Sequence, residues 1–196
     1  RPTHFSGVEV ENSLSPRFGA TLTVPRLHWT VRAFYGHYYQ PPPLATIFGP
    51  LEQFCQAANC GFVALHGERD EEHQFGLTIP YRGWTLDADN FVTRVHDFFD
   101  HNCIGSGTCF PITIQHVLIS GWELTLRSPR IAHRGQVHLA YSNQIANAGG
   151  DVTGGLTSFP TNACHPLSNP CPLDHDQHNT LNLGGDVTLP ARSYVS

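Results

Sequence analysis

The feature that most constrains this chain is a two-residue alternation of apolar and polar side chains that recurs in segment after segment. In FGATLTV, Phe18, Ala20, Leu22 and Val24 share one face, against Gly19, Thr21 and Thr23 on the other. LHWTVRAFYGHYY sets Leu27, Trp29, Val31, Ala33 and Tyr35 against His28, Thr30 and Arg32. HQFGLTIPY, ITIQHVLISGWELTLR, VHLAY and LNLGGDVTL repeat the pattern. Successive side chains of a strand point to opposite faces, so alternation sustained this often specifies strands with one apolar and one polar face. One segment is less regular: WTLDADNFVTRVHDFF alternates through Ala88 and loses phase near Asn90 and Phe91, where a β-bulge is expected to reset it.

The connectors alternate in length as strictly as the side chains alternate in polarity. Pro25–Arg26, Arg82–Gly83, SPRIAHRG and PAR are short; residues 41–70, 100–111 and 148–178 are long. In an antiparallel meander every second connector emerges at the same end. The short turns therefore share one end and the long loops the other, as in an outer-membrane β-barrel. The expected fold is all-β: an antiparallel up-and-down meander of outer-membrane barrel type, a partial barrel of about seven to eight strands, with residues 1–196 forming one barrel-like segment. A soluble β-sandwich or lipocalin-like barrel has the same alternation facing a core, and periodicity does not separate the two.

Composition narrows the function classes. Charged residues are 14% against 40% hydrophobic, with 18 Gly and 15 Pro, which suits short turns between strands. All 11 basic residues are Arg and the net charge is −5, so there is no basic footprint for nucleic acid. No run of about 18 apolar residues exists to form a membrane-spanning helix, whereas a spanning strand needs only ~9–11 alternating residues. Methionine is absent, so the chain is expected to be a processed product or a fragment.

Six cysteines fall into three close pairs in turn-like stretches: Cys55/Cys60, Cys103/Cys109 and Cys164/Cys171. Local even pairing points to three small disulfide loops at the long-loop end and an oxidising compartment. Free thiols or a zinc site are the alternatives, although zinc knuckles favour C-x2-C spacing.

Four stretches resemble TonB-dependent outer-membrane receptors, in the order that family has them. SLSPRFGATLTVPRLHWTVRAFYGHYYQPPPL is similar to a Ser-Pro-Arg strand followed by one that ends in Tyr-Gly and a Pro-rich exit. ERDEEHQFGLTIPYRGWTLDADNFVTRVHDFF resembles the next hairpin, with Gln74 where the family has Glu. ISGWELTLRSP and DHDQHNTLNL resemble two later strands. The resemblance implies outer-membrane lipid around the apolar faces, and a role in ligand uptake driven through the TonB system by a full-length receptor. The family barrel has about 22 strands. The seven strands and start of an eighth counted here are expected to make roughly a third of one, with no plug, no TonB box and no terminal aromatic. Its first and last strands are then open edges, to be covered or to pair between copies.

Two His/Asp clusters point to different chemistry. HDFFDH offers His96, Asp97, Asp100 and His101, and faintly resembles the H-x-H-x-D-H motif of metallo-β-lactamase-like hydrolases, with Phe98 in the middle ligand place. DHDQH offers Asp174, His175, Asp176 and His178. Imidazole and carboxylate at such spacings suit zinc or calcium, which makes a secreted, disulfide-containing metal-dependent hydrolase the alternative reading. A soluble binding module of the same meander, secreted or periplasmic, is a third. If the barrel reading holds, both clusters are solvated ends of strands on the same side of the sheet, and no cofactor is expected. No G-x-S-x-G marks a serine hydrolase, and GGDVTGG lacks the Lys-Ser/Thr of a phosphate loop.

Overall fold

A computed structural model describes residues 13–42, 65–104, 108–132, 134–154, 157–159, 171–173, 176–188 and 194–195, with positions 53, 57 and 169. At 102–104, 108–110, 157–159 and 194–195 it describes the backbone alone. The strands are β1 (Arg17–Val24), β2 (Trp29–Gln40), β3 (Glu68–Tyr81), β4 (Trp84–Ile104), β5 (Thr108–Arg127), β6 (Gly135–Gly154), β7 (Thr157–Phe159), β8 (Cys171–Pro172), β9 (Asn179–Thr188) and β10 (Tyr194–Val195). They form one antiparallel sheet in the order β1-β2-β3-β4-β5-β6-β9-β10, with the short β7 and β8 also pairing with β6. This is the expected all-β meander. It is not closed: β1 and β10 are its edges. Among the described residues no helix is long and apolar enough to cross a membrane, which does not bear on crossing by strands.

The turns follow local chemistry. Arg82 and Gly83 both have positive φ (49° and 84°) and join Tyr81 to Trp84, the two-residue hairpin whose twist matches that of its strands. The first hairpin is wider than the sequence reading made it. Leu27 N–H donates to the Val24 carbonyl (3.2 Å), His28 takes φ 55°, and pairing resumes at Trp29. In the turn after β5, Ser128 is almost fully buried; its Oγ accepts from Val137 N–H (2.9 Å), and its carbonyl accepts from the Gln136 amide (2.9 Å).

Two sequence expectations need correction. The long connectors are shorter than read, because β3 begins at Glu68, β4 and β5 run to Ile104 and from Thr108, and β6 runs to Gly154. Backbone pairing continues past the point where apolar alternation stops, so a pattern of side chains underestimates strand length. The bulge expected at Asn90 and Phe91 is not there: both stay in register with β3 and β5. Asn90 instead sits on the apolar face with its amide donating to the Gly121 carbonyl (2.9 Å). Phe91 lies on the polar face against Gly121, where a Cβ would meet its ring at 2.8 Å. The irregularity falls between Ile114 and His116, where Gly150 (φ 85°) and Asp151 of β6 oppose the single residue Gln115. The Gln115 side-chain oxygen accepts from Asp151 N–H (3.1 Å).

Register divides the sheet into two faces. One carries Phe18 to Val24 of β1, Trp29 to Tyr35 of β2, Phe75 to Tyr81 of β3, Trp84 to Val92 of β4, Leu118 to Leu126 of β5, Val137 to Ile145 of β6 and Leu181 to Val187 of β9, alternate residues in each case. Apart from Asn90, Ser120 and Asn143 this face is apolar, and no other described residues cover it: Phe18 is 66% exposed, Leu181 67% and Leu183 75%. The opposite face is polar over the same rows. The small buried core is elsewhere, toward the long-loop end, where Val95, Ile114 and Val117 pack with Phe98, Ile119, Ala148, Val152 and Leu173.

Candidate functional site

The densest polar chemistry lies on the polar face at the level of the apolar band. Arg32 of β2 reaches across β3 to hold Asp89 of β4 through both carboxylate oxygens (3.0 and 3.1 Å). Glycine at position 76 makes that reach possible, since a Cβ there would collide with Asp89 Oδ1 and lie 2.9 Å from the guanidinium. Arg32 also donates to Thr78 Oγ1. Thr78 donates in turn to Asp87 (2.6 Å), and Arg127 of β5 donates to the other oxygen of Asp87 (2.7 Å). Four strands are thereby linked by a continuous chain from Arg127 to Asp89. A single guanidinium nitrogen, Nη2, serves both oxygens of Asp89, and hydrogen bonds between ionised groups of this kind are stronger than neutral ones.

Beside this chain lies a hollow of about 550 Å³ lined by Arg32, Glu72, Gln74, Asp89, Phe91, Thr93, Glu123 and Gln144. Its lining offers carboxylates, amides, a guanidinium and one aromatic ring. With the Thr93 hydroxyl, that set can hydrogen-bond a polar solute in water.

At the row of Tyr35 and His73 the apolar face changes character. Tyr35 Oη contacts His37 Nε2 (2.6 Å) and donates to Glu71 (3.3 Å); Glu71 also contacts His73 (3.2 Å) and lies 3.8 Å from Arg94. Burial alone pushes the Glu71 carboxyl up, but the hydrogen bonds from His73 and Tyr35, with the Arg94 charge, outweigh it and hold Glu71 below the usual carboxylate range. On the polar face of the same strand, burial raises Glu68, which accepts from Phe99 N–H (2.7 Å), and raises Asp70, with repulsion from Glu72 adding to the latter.

The residues singled out in the sequence as metal ligands are separated. His96 faces His116 across β4 and β5, with Nδ1 to Nδ1 at 3.0 Å, and does not join Asp100 and His101. Asp100 contacts its neighbour His101 (3.4 Å to the ring) and accepts from its backbone N–H (2.7 Å). His178 contacts Asp176 (2.7 Å), while Asp174 and His175 lie outside the described residues. Asp100 of the first cluster and His178 of the second sit at different levels. The His178 carbonyl accepts from Gln144 N–H of β6, whereas Asp100 pairs with Ile112 beside the Thr113–Thr153 row. Nine to ten residues of β6 separate those levels, roughly 30 Å. Among the described residues no three His, Cys, Asp or Glu converge as a metal cage.

Of the cysteines, Cys55, Cys60 and Cys164 lie outside the described residues. Cys103 and Cys109 are direct backbone partners across β4 and β5, and Cys171 is disulfide-bonded.

The alternation puts Arg32 on the polar face, and the same period in HQFGLTIPY and ITIQHVLISGWELTLR puts Gln74, Thr78, Glu123 and Arg127 there, but it does not give the network they form. Part of it was available: the Arg82–Gly83 turn fixes Thr78 opposite Asp87 and Gly76 opposite Asp89. The Arg32–Gly76 pairing was not, because the connector between β2 and β3 is long. His116 was missed, although pairing Cys103 with Cys109 sets the register that places it opposite His96.

No known protein family matches the chain, and no curated protein is detectably similar to it.

Proposed function

We propose that this chain is a segment of a bacterial outer-membrane β-barrel of the TonB-dependent receptor type, serving ligand uptake, with its apolar face against lipid and its polar face toward a water-filled lumen. The supporting observation is the uncovered apolar band and its sharp upper limit. Over seven consecutive strands it runs seven to nine residues per strand, from the tight turns to the row of Tyr35 and Val92. Nine residues of β4 span about 26 Å, or roughly 20 Å of height at a tilt of 35–45°, close to the ~25 Å band of such barrels. Trp29, Tyr81 and Trp84 lie at the turn edge and Tyr35 at the loop edge, where girdle aromatics belong. In the rows just above the band the faces exchange roles: His37, Glu71, Arg94 and His96 continue the formerly apolar face, while Val95, Val117 and Ala148 continue the formerly polar one; past Gln115 the next paired row is apolar again, with Phe98 opposite Ile114. A soluble sandwich has no need of such an exchange at one height.

On this reading the open edges at β1 and β10 pair with further strands of a barrel, and energy coupling through the TonB system belongs to the full-length receptor. The hollow beside Arg32 and Asp89 is lumen surface for a polar ligand. The three local cysteine pairs close disulfides at the external end, which the Cys103–Cys109 register supports; peptide mapping under non-reducing conditions checks it. The direct test is dispersion. The purified chain is expected to need detergent or lipid to stay monodisperse, and a monodisperse monomer in plain buffer would overturn the lipid-facing assignment.

A further inference from the structure

The cross-strand imidazole pair His96/His116 has a geometry that nothing in the barrel reading uses. The two residues are direct partners of β4 and β5, their rings stand nearly perpendicular (83°) with centroids 4.8 Å apart, and their Nδ1 atoms are 3.0 Å apart. Two bonds of about 2.0–2.1 Å to a common ion, at 90–110° to each other, hold their donor atoms about 2.9–3.4 Å apart. We propose that His96 and His116 chelate one borderline divalent metal ion through Nδ1, in adjacent positions of its coordination sphere, with water in the remaining positions.

The separation lies at the right-angle end of that range, which favours ions of tetragonal or octahedral preference, Cu2+ and Ni2+, over tetrahedral Zn2+. Binding needs no net loss of protons from two neutral rings. The ring that donates through Nδ1 moves its proton to Nε2, and both Nδ1 lone pairs then face the ion. The nearest cation on the same row, Arg69, is engaged by Asp97 at 3.9 Å, which tempers its repulsion of a bound metal. The pair is itself in register, with Val95↔Val117 beside it, and pairing resumes at Phe98↔Ile114 after the irregular Asp97 (φ 59°), so backbone pairing sets where the two ligands stand. No third His, Cys, Asp or Glu joins them among the described residues, so the site is an exchangeable two-ligand chelate and not a structural cage.

With 13 histidines in the chain, weak background binding has to be separated from this site. The experiment is equilibrium dialysis and paramagnetic resonance of the untagged full chain with Cu2+, on the wild type and on His96→Gln, His116→Gln and His138→Gln. His138 lies against Gly184 on the other face of the sheet and serves as the control. The wild type and H138Q are expected to bind one tight equivalent showing coupling to two imidazole nitrogens. H96Q and H116Q should each lose that equivalent while keeping the β-sheet circular dichroism. Competition should rank Cu2+ above Zn2+, with Mn2+ not competing. A tight equivalent that survives in both H96Q and H116Q, or its absence from the wild type, overturns the proposal.

Discussion

Single residues decide whether the polar face can keep its network. Gly76 is the clearest case: Arg32 and Asp89 meet over it, and any Cβ there occupies the space they use. Gly76→Val is expected to cost about 1–3 kcal/mol of unfolding free energy, the range for breaking a partly buried polar network. Gly19→Ala, whose Cβ would find Phe34 at an ordinary 3.8 Å, should stay within about 0.5 kcal/mol. Denaturant titration of the two variants checks the contrast. Asp70 offers a pH test. Burial, and then repulsion from Glu72, raise its carboxyl, and its Oδ1 is buried with no hydrogen-bond partner. A carboxyl raised in the folded state binds protons there more readily than in the unfolded chain, so its contribution falls as pH rises through the folded value. Asp70→Asn should therefore stabilise at neutral pH, and the gain should vanish as pH falls through the raised value to the ordinary one near ~3.9. Melting curves across that window check it; a uniform loss at every pH would contradict it.

Elements were legible in the sequence to the extent that side chains announce them. Period two located β1 to β6 and β9, and the Arg82–Gly83 turn fixed one register in full. The far ends of the long strands, β4 beyond Phe99, β5 before Ile112 and β6 beyond Asn147, were not legible, because alternation no longer marks the strand there. Asn90 and Phe91 were misread for a related reason. Each is the wrong polarity for its face, and each is accommodated by Gly121, through its carbonyl for Asn90 and its missing side chain for Phe91. The candidate site was legible only as a set of polar positions, since the contacts among them depend on pairing across long connectors. The apolar band gives the prediction that belongs at this scale. Leu181 of β9 lies at mid-height of the apolar band, on the row of Tyr141, Leu124 and Ala88. In a bilayer Leu181→Arg should cost about 2–4 kcal/mol near the midplane, falling toward the interfaces. At an exposed position in water the same change should stay within about 0.5 kcal/mol. Folding titrations in lipid vesicles read the difference.

Among the described residues the molecule is a sheet whose apolar band has no covering layer and whose polar face carries the Arg32–Asp89 network. An eight-strand path with open edges at β1 and β10 leaves both apolar surface and backbone hydrogen-bonding groups in need of partners. On the proposed outer-membrane reading, lipid supplies the first and further strands the second, and that one environment accounts for the band height and the aromatic edges. The three tryptophans report on that environment from two depths: Trp29 and Trp84 at the turn edge of the band, Trp122 within it. The most direct measurement is fluorescence quenching by lipids brominated along the acyl chain, on variants that keep Trp122 alone or Trp84 alone. The account predicts strong quenching of Trp122 by deep bromines and of Trp84 by shallow ones. Equal insensitivity of both residues to brominated lipid would contradict it.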